Sequence, residues 1–398
     1  MKLNKKGFGV AEIAIVILLI GILAAAVIAG FMGIKQNAHN AVVSQQEIAE
    51  SMDHNLKHSF PTILSKNQKG LEIGEGKYEV YELGGYKIVP NSSGAYPVQV
   101  NEGATLYLSG NGTTDVISKV DGTSKPKNPT VVNYGNLYLS DIVVEGGDIN
   151  RANREYQFWG MQYSVSELNN VVVSCGTRGI LMYFDANIKI DGVNSKIEMR
   201  KNNGVSGQNL FYLYPRSVTT VNNGTLTCKQ QHNTMFYSAA GKIIINGGYF
   251  TDTLDAANVG NNQIFYFASY RVDENTLLTP ITEINGGVFD CTVCSCSNCK
   301  NDITKAFFYF YDSSSVTITG GEFIKEPSRF ATGVNQTNRI LIIKDAPNDG
   351  TEQLIFHYAP YKEDNTNVWG DYVAEGYEVY EIEAGKLWGV KPVTTPAN

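Results

Sequence analysis

Four of the six cysteines fall in one run, Cys291-x2-Cys294-x-Cys296-x2-Cys299. Thiolates at this density can hold Zn²⁺ or an iron–sulfur cluster, and the same four can close into local disulfides. The two-residue hooks of structural metal sites usually come far apart, so this spacing favours disulfides, with metal and free thiols left open, and no cofactor is assigned. A second group is seven tyrosines, each between two apolar or small residues: Tyr107, Tyr138, Tyr183, Tyr212, Tyr237, Tyr266 and Tyr309. Exposed phenol rings can stack on sugars or on a partner protein, and they can equally just stabilise a sheet. A third candidate is a single carboxylate. Glu12 is the only charged residue between Phe8 and Phe31, and an ionised acid in hydrocarbon costs a few kcal/mol and usually marks a function.

Acid–base catalysis needs carboxylates gathered on neighbouring strands, often with Ca²⁺, Arg or Lys. The acids near the expected strands are scattered: Asp148, Asp185, Asp191, Glu198, Asp252, Glu283 and Glu322. The five histidines (His39, His54, His58, His232 and His357) form no motif. The expectation is a protein that is not an enzyme. Its rival is a polysaccharide-active enzyme, lyase- or glycosidase-like, tethered to a membrane. The net charge of −7 offers no basic stripe for phosphates, so nucleic acid is not an expected partner.

The elements that must position these groups begin with the N-terminal segment. A helix from Phe8 to Phe31 would span roughly 36 Å, enough to cross a bilayer with some tilt. Lys2, Lys5 and Lys6 precede it, so the positive-inside rule leaves the N-terminus in the cytoplasm and exports the chain beyond Phe31. A cleaved secretory signal is usually shorter, and a plain anchor leaves Glu12 unexplained. Beyond the apolar run, Ala38, Ala41, Val42, Ile48, Met52 and Leu56 recur at helical steps until Pro61.

The string KKGFGVAEIAIVILLIGILAAAV, residues 5 to 27, resembles the N-terminus of type IV pilins and pseudopilins. In that family a basic leader ends in Gly and the mature chain starts at Phe with Glu at its fifth place. Gly7, Phe8 and Glu12 match those positions, and IGILAA at 20–25 matches a common family string. Gly9-Val10 and Ala29 depart from the usual Thr-Leu and Pro, which puts the family's helix kink in doubt but not the processing site. The resemblance implies cleavage between Gly7 and Phe8 by a prepilin peptidase, N-methylation of Phe8, and packing against other pilin-like subunits. Glu12 would then face the freed amine of a neighbour's Phe8, and each charge would offset the burial of the other.

The body is a repeat. An apolar-Tyr-apolar triplet, a gap, a β-branched pair and a Gly recur, as in LYLSDIVVEGGDI from Leu137, FYSAAGKIIINGGYF from Phe236 and FYFYDSSSVTITGGEF from Phe308. A coil of about 25 to 30 residues with no helical pattern predicts a parallel β-helix of about seven coils, since propeller blades need about 40 to 45 residues. Period two puts the residues flanking each tyrosine inward and all seven tyrosines outward in one column. Asn222, Asn246 and Asn285 share a turn position suited to an amide ladder. The pairs Gly247-Gly248, Gly286-Gly287 and Gly320-Gly321 mark tight corners needing positive φ. Cys228 and Cys291 take equivalent places two coils apart with Asp252 between them, too far for a bridge; a Cys175–Cys228 pair is left open.

These coils resemble the right-handed parallel β-helix domains of gut-bacterial surface proteins, and DYVAEGYEVYEIEAGKLWGVKP at 371–392 resembles a short β module that often follows them. The expected fold class is therefore mainly β: a long N-terminal α-helix, a parallel β-helix (solenoid) and a small C-terminal β module. The expected division is a prepilin leader at 1–7, a transmembrane and amphipathic helix at 8–60, a β lead-in or cap at 61–104, the coils at 105–325 and the C-terminal module at 326–398. The expected protein is a single-pass, exported, cell-surface subunit of a pilus or pseudopilus, presenting its β-helix head for adhesion to surface glycans or a partner.

Overall fold

A computed structural model describes residues 56–92, 95–118, 129–146, 156–175, 178–199, 209–228, 234–252, 263–293, 304–333, 339–344, 354–361 and 369–393. Gly7, Phe8 and Glu12, and with them the expected leader and membrane helix, lie outside the described residues. So do Cys294, Cys296 and Cys299. Two compact units divide at Pro61. Of the first, the described part is one closing helical turn at residues 56–59, with the Phe60 amide donating to the Leu56 carbonyl at 2.9 Å before Pro61. Among the described residues no helix is long and apolar enough to cross a membrane.

The second unit is a parallel solenoid. Each complete coil gives one strand to each of three sheets, which hold eleven, thirteen and ten strands and follow the order of the chain except at the last two strands of the thirteen. The reason lies in short period-two stretches. Thr105–Ser109, Asn136–Ser140 and Asn187–Asp191 alternate outward polar with inward aliphatic residues. Parallel register then stacks like on like. Leu108, Leu139, Leu168, Ile190, Val221 and Ile245 meet coil by coil along the inside of the first sheet. Phe250, Phe289, Phe323 and Phe356 stack inside the second at 4.6 to 4.8 Å. Phe211, Phe236, Phe265 and Phe308 do so inside the third at 4.9 to 5.1 Å. Each stacked pair contributes about 0.5–1.5 kcal/mol beyond the burial of the rings.

The coils run from Thr62 to Phe356 and include ten complete turns among the described residues. The segment expected as a lead-in at 61–104 is itself two coils, and the solenoid continues past 325. The repeat length underestimates the count because several coils lack the tyrosine. In Val165–Asn169 the partner of Tyr138 is Glu167. The long step between Tyr266 and Tyr309 contains a small antiparallel hairpin of Tyr270–Arg271 with Leu277–Leu278.

The corner between the first and second sheets is built as a column. The Asn246 amide donates to Asn222 Oδ1 and the Asn285 amide to Asn246 Oδ1, both at 2.9 Å. Asp191 extends the ladder at one end and Thr319 at the other. In the Gly-Gly corners the two glycines serve different needs. Gly248 has φ +101°, a left-handed backbone. Gly247 has no room, since a Cβ there would come within 2.3 Å of the Asn222 carbonyl oxygen.

The C-terminal module closes the end of the stack. Leu387–Pro392 pairs antiparallel with Leu354–Phe356 and forms a hairpin with Tyr377–Glu383. Trp369, fully buried, stacks on Phe356 at 3.8 Å and ends the phenylalanine column. The outer strand carries Glu378, Glu381 and Glu383, charges that discourage further strand addition.

Candidate functional site

The third sheet is the aromatic face of the solenoid. Asn209–Leu213, Thr234–Ala239, Gln263–Ala268 and Ala306–Phe310 lie side by side. Phe211, Leu213, Phe236, Phe265, Phe267, Phe308 and Phe310 point inward, with the polar Ser238 among them. Ser238 is satisfied within its own turn, donating to the Gly241 carbonyl at 2.9 Å and accepting from the Gly241 amide at 3.0 Å. Register places Tyr212, Tyr237, Tyr266 and Tyr309 in one outward row.

The seven tyrosines do not form one column. Tyr107 and Tyr138 belong to the first sheet and stack on each other at 4.3 Å. Tyr183 lies on the third-sheet side but two places past the row, because Leu181 is the partner of Tyr212. It stacks instead on Tyr214, at 5.0 Å and 3° between ring planes. Tyr309 is only 3% exposed. The correction has a simple cause. An apolar-Tyr-apolar triplet is the same period-two signal on any sheet of the coil, so sequence spacing does not say which sheet carries it.

Ring geometry decides what the row can offer. Tyr212 and Tyr237 are 4.6 Å apart and tilted by 12°, and Tyr237 and Tyr266 are 4.6 Å apart and tilted by 11°. Rings this close cover each other's faces. They present their positive edges and their hydroxyls to solvent, not the π-faces that a sugar ring would stack on. The phenols of Tyr212 and Tyr237 are near enough to shift each other's ionisation. Burial pushes the phenols of Tyr212, Tyr237 and Tyr266 above their ordinary value, so each stays protonated. Tyr156 closes one flank, edge-on to Tyr212 at 6.1 Å, with its phenol raised by burial to about 12. The Arg178 guanidinium sits 5.1 Å over its ring. On the other flank Phe184 packs on Tyr214 and meets Tyr270 of the inserted hairpin edge-on at 5.4 Å. The sequence reading missed Tyr156, Tyr214 and Tyr270, because none sits in an apolar-Tyr-apolar triplet of a third-sheet strand.

The second sheet carries the cysteines. Cys175, Cys228 and Cys291 are buried, and none of the three is in a disulfide. Cys291, the one described member of the four-cysteine run, points into the core with its thiol raised by burial. Asp252 follows the strand between those of Cys228 and Cys291, and its side chain is fully buried. Burial raises its carboxyl above the usual range, against the opposing pull of the Thr292 amide at 2.5 Å and Lys325 Nζ at 3.3 Å. Lys325 also reaches Asp290 at 3.1 Å, and Asp290 accepts from the Tyr249 hydroxyl at 2.6 Å.

The other scattered acids that are described each have a separate partner. Asp185 pairs with Arg216, Asp191 with Lys189, Glu198 with Lys196, Glu283 with Lys242 and Glu322 with His357. Among the described residues no group of three or more His, Cys, Asp or Glu is placed to hold a metal ion. No family model matches this chain, and neither does any curated protein or solved structure.

Proposed function

We propose that this chain is a prepilin-like cell-surface subunit that displays its solenoid as a binding module, with the outer face of the third sheet as the binding surface. The N-terminal half of this reading rests on KKGFGVAEIAIVILLIGILAAAV: Gly7 and Phe8 as the processing junction for a prepilin peptidase, and Glu12 as the charge met by the amine of an adjoining pilin-like subunit. The large head suits a minor subunit better than a major one.

One observation carries the binding half. Tyr212, Tyr237 and Tyr266 form a stacked, partly exposed row flanked by Tyr183, Tyr214 and Tyr270. Aromatic side chains on the surface of a rigid sheet lose little freedom on binding, which favours affinity. Their hydroxyls, spaced by the strand repeat, offer donors and acceptors to a ligand that is itself extended and hydroxyl-bearing. Surface glycans fit that description.

Binding of the full chain to immobilised polysaccharides and to target-cell envelopes tests this. Tyr237→Phe keeps the stack and removes one hydroxyl, and its expected effect is a loss of about two- to twelvefold, from about 0.5–1.5 kcal/mol for one hydrogen bond. Tyr237→Ala opens the stack and should lose more. Equal binding by wild type and Tyr237→Ala would remove the third sheet from the account.

A further inference from the structure

The corner from the third sheet back to the first puts one residue of several coils in the left-handed region. Early coils use glycine there, Gly76 at φ +65° and Gly103 at φ +67°. Later coils use Tyr163 at +62°, Asp185 at +59°, Arg216 at +60° and Ala240 at +65°. The corner from the first sheet to the second makes the same demand and meets it differently. Among the described residues, every left-handed residue there is Gly, Asp or Asn, for example Asp141, Asn170, Gly224 and Gly287. Asp and Asn relieve the strain by bonding to nearby backbone, but Tyr and Arg do not. Tyr163 and Arg216 thus sit, like Ala240, where the backbone favours glycine, and of the three only Tyr163 and Arg216 carry side chains long enough to act there.

Those side chains converge beside the aromatic face. Arg216 grips Asp185 through two bonds, Nε to Oδ1 at 2.6 Å and Nη2 to Oδ2 at 2.7 Å. Tyr163, 70% exposed, sits one coil before Asp185, its amide donating to the Phe184 carbonyl at 3.3 Å, as the Asp185 amide donates to the Pro215 carbonyl at 3.3 Å beside Arg216. The stacked Tyr183 and Tyr214 lie on the sheet side of this ridge, followed by Phe184 and Tyr270. Here, unlike in the tyrosine row, an aromatic ring is left open to solvent.

The ion pair decides the ligand class. A guanidinium already neutralised by a carboxylate gives no net attraction to an anion, and the chain as a whole is at −7. Such a pair does present fixed donors and acceptors side by side, the pattern that adjacent hydroxyl groups match. We propose that Tyr163, Asp185 and Arg216 form a subsite for one neutral pyranose unit of a polysaccharide. Its hydroxyls bridge the Asp185–Arg216 pair and its C–H face lies on the Tyr163 ring. This rests on the third-sheet binding face and adds to it a place and a ligand class.

The test uses the full chain in nanodiscs, with β-glucan, mannan and galactan as neutral probes and polygalacturonate as the charged one. Tyr163→Gly relieves a strained backbone, so its melting temperature holds or rises, while its affinity for the neutral probe that wild type binds falls at least tenfold. Tyr163→Phe keeps most of the binding. If Tyr163→Gly binds normally while Tyr237→Ala does not, the subsite is wrong and the face stands. A drop in melting temperature for Tyr163→Gly would make the residue structural and also overturn the subsite. Binding confined to polygalacturonate overturns the ligand class, and no binding by wild type to any probe overturns the face together with the subsite.

Discussion

At the scale of single residues, the same side chain means different things at different places in the coil. Glycine shows this at the first-to-second corner. Gly287 is there for its φ of +94°, while Gly286 is there because a Cβ would lie 2.4 Å from the Asn246 carbonyl oxygen. That obstacle is backbone and cannot rotate away. Gly286→Ala should therefore cost about 2 kcal/mol or more of unfolding free energy in a denaturant titration. Pairing it with Asn246→Ala should not relieve the loss, because the clashing atom is not in the Asn246 side chain. Relief in the double variant would contradict this account of the corner. Tyrosine shows the limit of what was legible in the sequence. Alternation alone revealed that the neighbours of Tyr237 and Tyr266 face inward. It did not reveal that the rings spend their faces on one another, since ring tilt depends on three strands at once.

At the scale of elements, the second sheet contains a buried charge held by a partly exposed one. Asp252 is enclosed between the coils of Cys228 and Cys291, and Lys325 closes it from outside, 39% exposed. Lys325→Met leaves the carboxylate without its cation. The expected loss is about 1–2 kcal/mol at neutral pH, below the usual cost of stripping a buried partner because the ammonium is partly solvated. The sign of the pH dependence follows from burial. An acid whose carboxyl is raised in the folded state weakens the fold when it ionises. The deficit of Lys325→Met should be present at pH 7 and shrink as pH falls through the raised value toward the ordinary carboxylate range. Urea midpoints of both proteins between pH 7 and pH 4 check this, and a deficit that stays constant would contradict it. The equivalence of Cys228, Asp252 and Cys291 was visible in the sequence from repeat position alone. Lys325 holds the same place in the following coil, two residues after Phe323, but that its side chain reaches back past Cys291 to Asp252 shows only in the structure.

At the scale of the whole molecule, a solenoid must solve its ends, since an unpaired last coil exposes both core and strand edges. Trp369 on Phe356 and the hairpin ending at Pro392 do so at the C-terminal end. Trp369→Ala should lower stability by about 3–5 kcal/mol and increase aggregation on heating, read by calorimetry and light scattering; a near-neutral effect would mean the cap is dispensable. The class of fold was legible because Gly-punctuated, period-two stretches without helical pattern leave few alternatives. The number of coils was not, because Glu167 replaces the tyrosine in one coil and a hairpin lengthens another. The corner from the third sheet to the first was likewise hidden, since positive φ at Tyr163 and Arg216 contradicts residue preference and shows only in the backbone.

In the proposed reading the N-terminal segment joins this head to a cell, and intact-mass and peptide mass spectrometry of the protein recovered from its native membrane tests that role most directly. The account predicts a mature chain that begins at Phe8 and carries one methyl group on its amine. A chain that retains Met1, or one cut after the alanines at 24–26, would contradict it.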